Sequence, residues 1–268
     1  MGLSKEHIAR YSRQLVLPEV GVRGQQRLAE ASVLVIGAGG LGSPAALYLA
    51  AAGVGRLGIV DDELVALSNL HRQILYETNA VGAAKSAWAK SRLSALNPDV
   101  DVEAIQEPLT SANGRRFVAS YDLVLDGSDN FQTRYLVNDA CVLERRPFVH
   151  GAVVRFEGQL LAVVPEQSAC LRCVFPEPPA EGAIPSCQEA GILGACAGVI
   201  GSLMAHEALK VLLNIGERLT DRLLVFEGMA SRFREVPLRR DRSCAVCGEH
   251  PTIQETSAVV TGACSEVR

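Results

Sequence analysis

The chain predicts an α/β fold: a doubly wound, Rossmann-like, mostly parallel sheet, extended by antiparallel strands and carrying a structural zinc site. Three observations predict it. Short β-branched runs alternate with helix-forming stretches through the first 150 residues. The first such run, 32–37, ends in Gly37, with Gly39 and Gly42 following at a helix start, which is the spacing of a phosphate-cradling turn. Beyond the alternation lie two CxxC pairs, Cys170 with Cys173 and Cys244 with Cys247.

The elements follow in order. Residues 8–15 and 23–31 read as short helices rich in Arg and Gln. SVLVIG at 32–37 is a buried strand, and 45–52 is Ala- and Leu-rich and helix-forming. RLGIVDD at 56–62 is a second strand ending in acids, 83–96 a helix stopped before Pro98, and DVEAI at 101–105 a third strand. YDLVLDG at 121–127 and PFVHGAV at 147–153 are two more, with a helix over 133–143 between them. After Gly151, GQLLAVV at 158–164 and LLVFEG at 223–228 read as strands that extend the same sheet antiparallel. Between these two, 190–205 is nearly apolar but broken by Gly191, Gly194, Gly198 and Gly201. It falls short of the roughly 18 residues of a spanning helix and reads as a buried core helix. There is no internal repeat, and 251–268, rich in Thr, Ser and small residues, reads as a tail.

At roughly 150 residues per domain, 268 residues make one large domain or two small ones. Apolar residues at 48% and charged residues at 21% exclude a disordered chain. Twenty-six basic against 30 acidic side chains give a net charge of -4 and a pI of about 5.8. No field draws in phosphate backbones, so neither nucleic acid nor a membrane is an expected partner. The first twenty residues carry Lys5, Glu6, Arg10 and Arg13 and no continuous apolar stretch, so no secretory signal is read and a cytoplasmic location is expected. Eight cysteines in such a compartment point to metal or catalysis rather than disulfides.

Asp61 ends the second strand, where an acid would hold a ribose hydroxyl, which makes an NAD-dependent oxidoreductase the first rival. The cationic set around the unit argues otherwise: Arg13, Arg72 in SNLHRQ, and Lys85 in VGAAKS. A diphosphate is already cradled by the turn, whereas a triphosphate under attack develops charge that calls for Arg, Lys and a metal. Asp126 and Asp129 in LVLDGSDN sit at the carboxyl end of a strand, where a carboxylate suits Mg²⁺. The two CxxC pairs supply four thiolates for a closed tetrahedral zinc, with redox use of one pair as the alternative. Such a metal would tie mid-chain to the C-terminal segment across 70 intervening residues. Cys187, in IPSCQEAG after Pro178, Pro179 and Pro185, is either a nucleophile ahead of a helix or an inert buried thiol; the residues alone leave both open. Cys141 and Cys196 read as core, and His71 as a surface side chain.

Together RYSRQ at 10–14, GAGGLG at 37–42, VDDELVALSNLHRQ at 60–73, VGAAK at 81–85, DGSDN at 126–130 and both CxxC pairs resemble the bacterial ubiquitin-activating-type adenylyltransferases of the MoeB, ThiF and HesA kind. The resemblance covers roughly residues 5–250. It implies a nucleotidyltransferase that joins the C-terminal Gly-Gly carboxylate of a small ubiquitin-like sulfur-carrier protein, MoaD- or ThiS-like, to AMP from Mg²⁺-ATP. Sulfur transfer for molybdenum cofactor or thiamine biosynthesis would follow. On that reading Gly39, Gly40 and Gly42 cradle the nucleotide and Asp61 holds the ribose. Asn69, Arg72 and Lys85 face the phosphates, Asp129 binds Mg²⁺, and Arg13 acts from the second subunit of a homodimer.

GSD stands where related sequences often have a threonine before the aspartate, which leaves the carboxylate unaffected. Cys187 matches a cysteine that engages the activated carrier in the thiamine branch and is dispensable in the molybdenum branch. Eukaryotic relatives append a rhodanese domain; none is read here, so a separate persulfide donor, a cysteine desulfurase or rhodanese, is expected. The implied organisation is one adenylating domain over 1–250, with a nucleotide half at about 30–150 and a carrier-facing, zinc-stapled half at about 151–250. Activation of a small-molecule or tRNA carboxylate by ATP is the remaining alternative.

Overall fold

The computed structural model describes residues 3–180 and 187–257. The chain begins with α1 (Lys5–Arg10), α2 (Ser12–Leu15) and α3 (Gly21–Glu30), then runs through β1 (Ser32–Ile36), α4 (Gly42–Ala52) and β2 (Arg56–Val60). Two short 3₁₀ turns, Leu67–Asn69 and Thr78–Ala80, lead to α5 (Lys85–Leu96), β3 (Asp101–Ile105), α6 (Gly114–Ala119), β4 (Leu123–Asp126) and α7 (Phe131–Leu143). The remainder is β5 (Phe148–Val154), β6 (Glu157–Val163), α8 (Leu171–Val174), α9 (Cys187–Ala190), α10 (Gly194–Leu213), β7 (Arg222–Glu227) and β8 (Arg232–Pro237).

All eight strands form one sheet in the order β3-β2-β1-β4-β5-β6-β7-β8. The first five run parallel, and β6, β7 and β8 are added antiparallel. The expected doubly wound sheet with an antiparallel extension is therefore observed. The order in which strands are added reverses between β1 and β4, while the two strands stay parallel, which leaves a crevice beyond their carboxyl ends.

The central strands β1, β2 and β4 are apolar on both faces because both faces are covered. Val33 and Val35 pack with α4 and α10, while Leu34 and Ile36 pack with α6, α7 and the cysteine-bearing segments. Glycines let α10 press against the sheet: a Cβ on Gly151 would lie 2.4 Å from Met204 Sδ, and one on Gly158 would lie 2.4 Å from Ile200 Cγ1. α10 starts four residues later than expected, since Gly191 takes a φ of +82°. It also runs on past Ala205, because buried Glu207 is satisfied by the Leu219 N–H at 2.6 Å and by Lys210 at 2.5 Å. By length and composition alone α10 could cross a membrane, yet half of its most apolar window is buried in this core.

The second strand ends at Val60 rather than residue 62, which frees Asp61 and Asp62 from the ladder. β8 and α6 lack a clear sequence signal: β8 is an exposed edge strand paired only with β7, and α6 is six residues long. The described part of the expected tail is held to the body, with Ile253 packed on the core and the Thr256 hydroxyl donating to Ser111 O at 2.8 Å.

Candidate active site

A cavity of about 420 Å³ opens beyond β1, β2 and β4. Its floor is the turn after β1. Gly37 has a φ of +83°, and a Cβ on it would stand 3.1 Å from Gly127 O, so any larger residue there is strained and crowded. Ala38, in the turn, is held from several sides. Its N–H donates to Asp61 Oδ2 at 2.9 Å, and its carbonyl accepts the Tyr76 hydroxyl at 2.8 Å and the Ser43 hydroxyl at 3.3 Å. Burial pushes the Tyr76 hydroxyl well above its ordinary range. Burial also raises the Asp61 carboxyl, against the opposing charge of Lys85 and the N–H groups of Glu63 and Ala38.

The cationic wall is supplied by two segments. Lys85 opens α5 almost fully buried, its ammonium paired with the exposed carboxylate of Glu63. Arg72 is half-buried in the loop after the first 3₁₀ turn, donating from Nη1 to Ser68 O at 3.1 Å, with His71 Nε2 at 2.9 Å. Next to it Gln73, 4% exposed, lines the cavity with its Oε1 lacking a partner.

The loop after β4 separates two aspartates that sequence places side by side. Asp126 is fully buried and committed: Oδ1 accepts the Ser128 hydroxyl at 2.6 Å and N–H at 3.1 Å, and Oδ2 faces His150 Nδ1 at 2.8 Å. Burial works to raise this carboxyl, but the hydrogen bonds and charge of His150 with the Ser128 hydroxyl outweigh it and hold Asp126 below the ordinary carboxylate range. Asp129 is exposed to the cavity, with no hydrogen bond or ion pair among the described residues. An exposed carboxylate beside a cationic wall is the donor a hard, phosphate-bridging cation prefers, so Mg²⁺ fits Asp129 and not Asp126.

Gly39, Gly40, Asp61, Asn69, Arg72, Lys85 and Asp129 thus share one cavity. Gly42 does not line it; a Cβ there would lie 1.9 Å from Gly37 O, so this glycine lets α4 start beneath the turn. Arg13 is exposed on α2 and is not among the cavity residues of this chain. Cys187 begins α9, and its side chain lies outside the described residues. Sequence reasoning missed Glu63, Gln73, Asn130 and Arg134 as cavity residues, although the first three lie inside the motifs that flagged their neighbours.

A second cluster lies on the opposite core layer. The Sγ atoms of Cys170, Cys173, Cys244 and Cys247 all fall within 4.8 Å of one another. Individual separations are 3.9 Å for Cys170–Cys173, 3.7 Å for Cys170–Cys244 and 3.3 Å for Cys173–Cys247. Four sulfurs at about 2.3 Å from a tetrahedral zinc would be about 3.8 Å apart, so the set fits that ion. Arg172, between the first two cysteines, forks onto Asp139 of α7 at 2.7 and 2.8 Å, with its guanidinium 4.7 Å from the Tyr135 ring centre. The cluster is thereby fastened to the helix whose first turn lines the cavity.

Residues 11–246 match the profile of the ThiF family. The chain is 52% identical over 260 residues to the sulfur carrier protein adenylyltransferase of Thermus thermophilus, covering 95% of this chain and 96% of that one. It is 48% identical over 252 residues to the adenylyltransferase and sulfurtransferase MOCS3 of Anopheles gambiae and 50% identical over 254 residues to that of Sus scrofa. Each match covers 94% of this chain, which spans only 57% and 56% of those two proteins. Among solved structures, Escherichia coli MccB superposes with a TM-score of 0.81 at 22% identity, covering 93% of this chain and 75% of that one. A crystal structure of MccB with ATP gives 0.77 at 22% identity, covering 89% and 73%. These two likenesses concern the fold.

Proposed function

The chain belongs to the ThiF family and is a nucleotidyltransferase, and from that premise we propose that it adenylates the C-terminal Gly-Gly carboxylate of a small ubiquitin-like sulfur carrier with Mg²⁺-ATP. The observation that carries the reading is the convergence of a glycine turn, Lys85, Arg72 and a free Asp129 on one cavity. On this reading the phosphates lie over Gly39 and Gly40, whose missing side chains allow close backbone approach. Asp61 and Asn69 orient the nucleotide. Lys85 exchanges its Glu63 partner for phosphate oxygens, and Arg72 takes a second set. Mg²⁺ held by Asp129 would neutralise phosphate charge.

In the reaction, a carboxylate oxygen of the carrier attacks the α-phosphorus, the bond from that phosphorus to the β-bridging oxygen breaks, and pyrophosphate leaves, with no proton transferred. The enzyme's contribution is positioning and charge stabilisation. Arg13, exposed and outside this chain's own cavity, acts in the site of a second copy within a homodimer. The half over about 30–150 serves the nucleotide and that over about 151–250 faces the carrier, with zinc on the four cysteines stapling the latter. Sulfur arrives from a separate persulfide donor, for molybdenum cofactor or thiamine biosynthesis, and Cys187 is the candidate thiol for engaging the activated carrier.

Incubation with ATP, labelled pyrophosphate and a Gly-Gly-ended carrier tests the central step. Label should appear in ATP only when the carrier is present. No exchange with either a MoaD-like or a ThiS-like carrier refutes the proposal.

A further inference from the structure

One buried pair, an aspartate and an imidazole, has no part in the chemistry above. Asp126 closes β4 directly opposite His150 of β5 in the parallel register. His150 is 6% exposed and donates from Nδ1 to Asp126 Oδ2 at 2.8 Å, while Oδ1 takes both donors of Ser128. We propose that His150 is a positioning residue for Asp129: it holds Asp126, Asp126 holds Ser128, and Ser128 fixes the loop that presents Asp129 to the cavity. The inference rests on the reading that Asp129 takes the cation of Mg²⁺-ATP.

The loop over 127–130 is clamped at both ends. Downstream, Asn130 caps α7 by accepting the Thr133 N–H at 2.8 Å. Upstream, the carboxylate of Asp126 is the sole side-chain acceptor for Ser128 among the described residues, and its third contact is the imidazole. Gly127 between them packs on Gly37, so the upstream clamp also sets the gap between the two loops that flank the cavity. Without the imidazole, Oδ2 is left buried without a donor. A carboxylate in that state takes up a proton or moves toward water, and either event disturbs its hold on Ser128. Asp129 has no hydrogen bond of its own among the described residues, so its direction follows that of the loop, which Arg134 also holds by donating to Ser128 O at 3.4 Å. His150 therefore stands to the cation as an outer residue stands to a ligand it orients.

The test measures binding of a non-hydrolysable ATP analogue by calorimetry, with Mg²⁺ and with EDTA, alongside thermal midpoints. His150→Leu should weaken the Mg²⁺-dependent affinity about tenfold, the lower end for outer-residue losses, and leave binding in EDTA unchanged. His150→Asn, whose amide N–H sits near the position of Nδ1, should restore it to within about twofold. Leu28→Ala, in the core away from the cavity, should lower the midpoint and leave the affinity alone. Should His150→Leu not fold, Ser128→Ala removes the 2.6 Å hydrogen bond without unpairing a charge and should cost about threefold. If His150→Leu or Ser128→Ala lowers only the midpoint and keeps wild-type Mg²⁺-dependent affinity, the inference is overturned. Wild-type protein that gains no affinity from Mg²⁺ overturns the Asp129 reading itself and the inference with it.

Discussion

Two alanines placed three residues apart in the glycine turn should behave in opposite ways. At Gly42, itself buried, the added Cβ would lie 1.9 Å from Gly37 O and 3.3 Å from Val35 Cγ1, and the first obstacle is backbone. Relief to 3.0 Å, below which real Cβ atoms essentially never approach, demands more than an ångström of movement. Taking overpacking at its upper value of about 3 kcal/mol, and about 2–4 °C per kcal/mol for a domain near this size, the thermal midpoint should fall roughly 6–12 °C. At Gly39 the nearest atom is Gln73 Nε2 at 3.6 Å, an ordinary contact. Gly39→Ala should melt within about 2 °C of wild type yet lose about tenfold or more in nucleotide affinity, about 1.4 kcal/mol, because the methyl stands where phosphate must meet backbone. Calorimetric melting and titration with an ATP analogue read both quantities. A Gly39→Ala protein that binds like wild type, or a Gly42→Ala protein that melts like it, refutes the reasoning.

Asp129→Ala should abolish Mg²⁺-dependent adenylation while leaving the melting transition in place; pyrophosphate exchange and calorimetry check the two halves. Arg13→Ala and Lys85→Met, each inactive alone, should regain part of the activity when mixed as subunits, and mixtures without any recovery would remove the shared site. Stripping zinc with a chelator, or Cys244→Ser, should destabilise the region around 170–177 and 241–249 first, which limited proteolysis and metal analysis would register. The Asp126 carboxyl, depressed in the fold, adds stability that is complete above the ordinary carboxylate pKa and is lost as pH falls through its folded value. Asp126→Asn should therefore flatten the acid limb of stability in urea titrations.

The parallel strands are legible because strands covered on both faces read as unbroken apolar runs, as 33–36 does, and because a glycine turn between strand and helix has few structural meanings. The edge strand β8 is not: RFREVP carries alternating charge, and only its pairing with β7 reveals it. Within the site, residue types and spacing found Gly39, Asp61, Arg72, Lys85 and Asp129, and the family resemblance added Gly40 and Asn69, but neither gave the division of labour. Asp126 and Asp129 are two acids three apart in sequence, and only burial tells the tied one from the free one. His150 lies 24 residues from Asp126, and no local pattern announces a partnership made by strand register. Gly42 carries the right spacing for a nucleotide contact and serves helix packing instead.

The four-cysteine cluster joins positions 74 residues apart in each pair. During synthesis at about 5–20 residues per second, Cys170 and Cys173 are made roughly 4–15 s before Cys244 and Cys247 exist. On the reading that zinc fills the cluster, the earlier two lack half of its ligands in that interval, so the nascent chain would pass through a stage vulnerable to oxidants that the metal-bound protein no longer has. Cells short of zinc or under oxidative load should accumulate misfolded chains of this protein without any change in its mature activity.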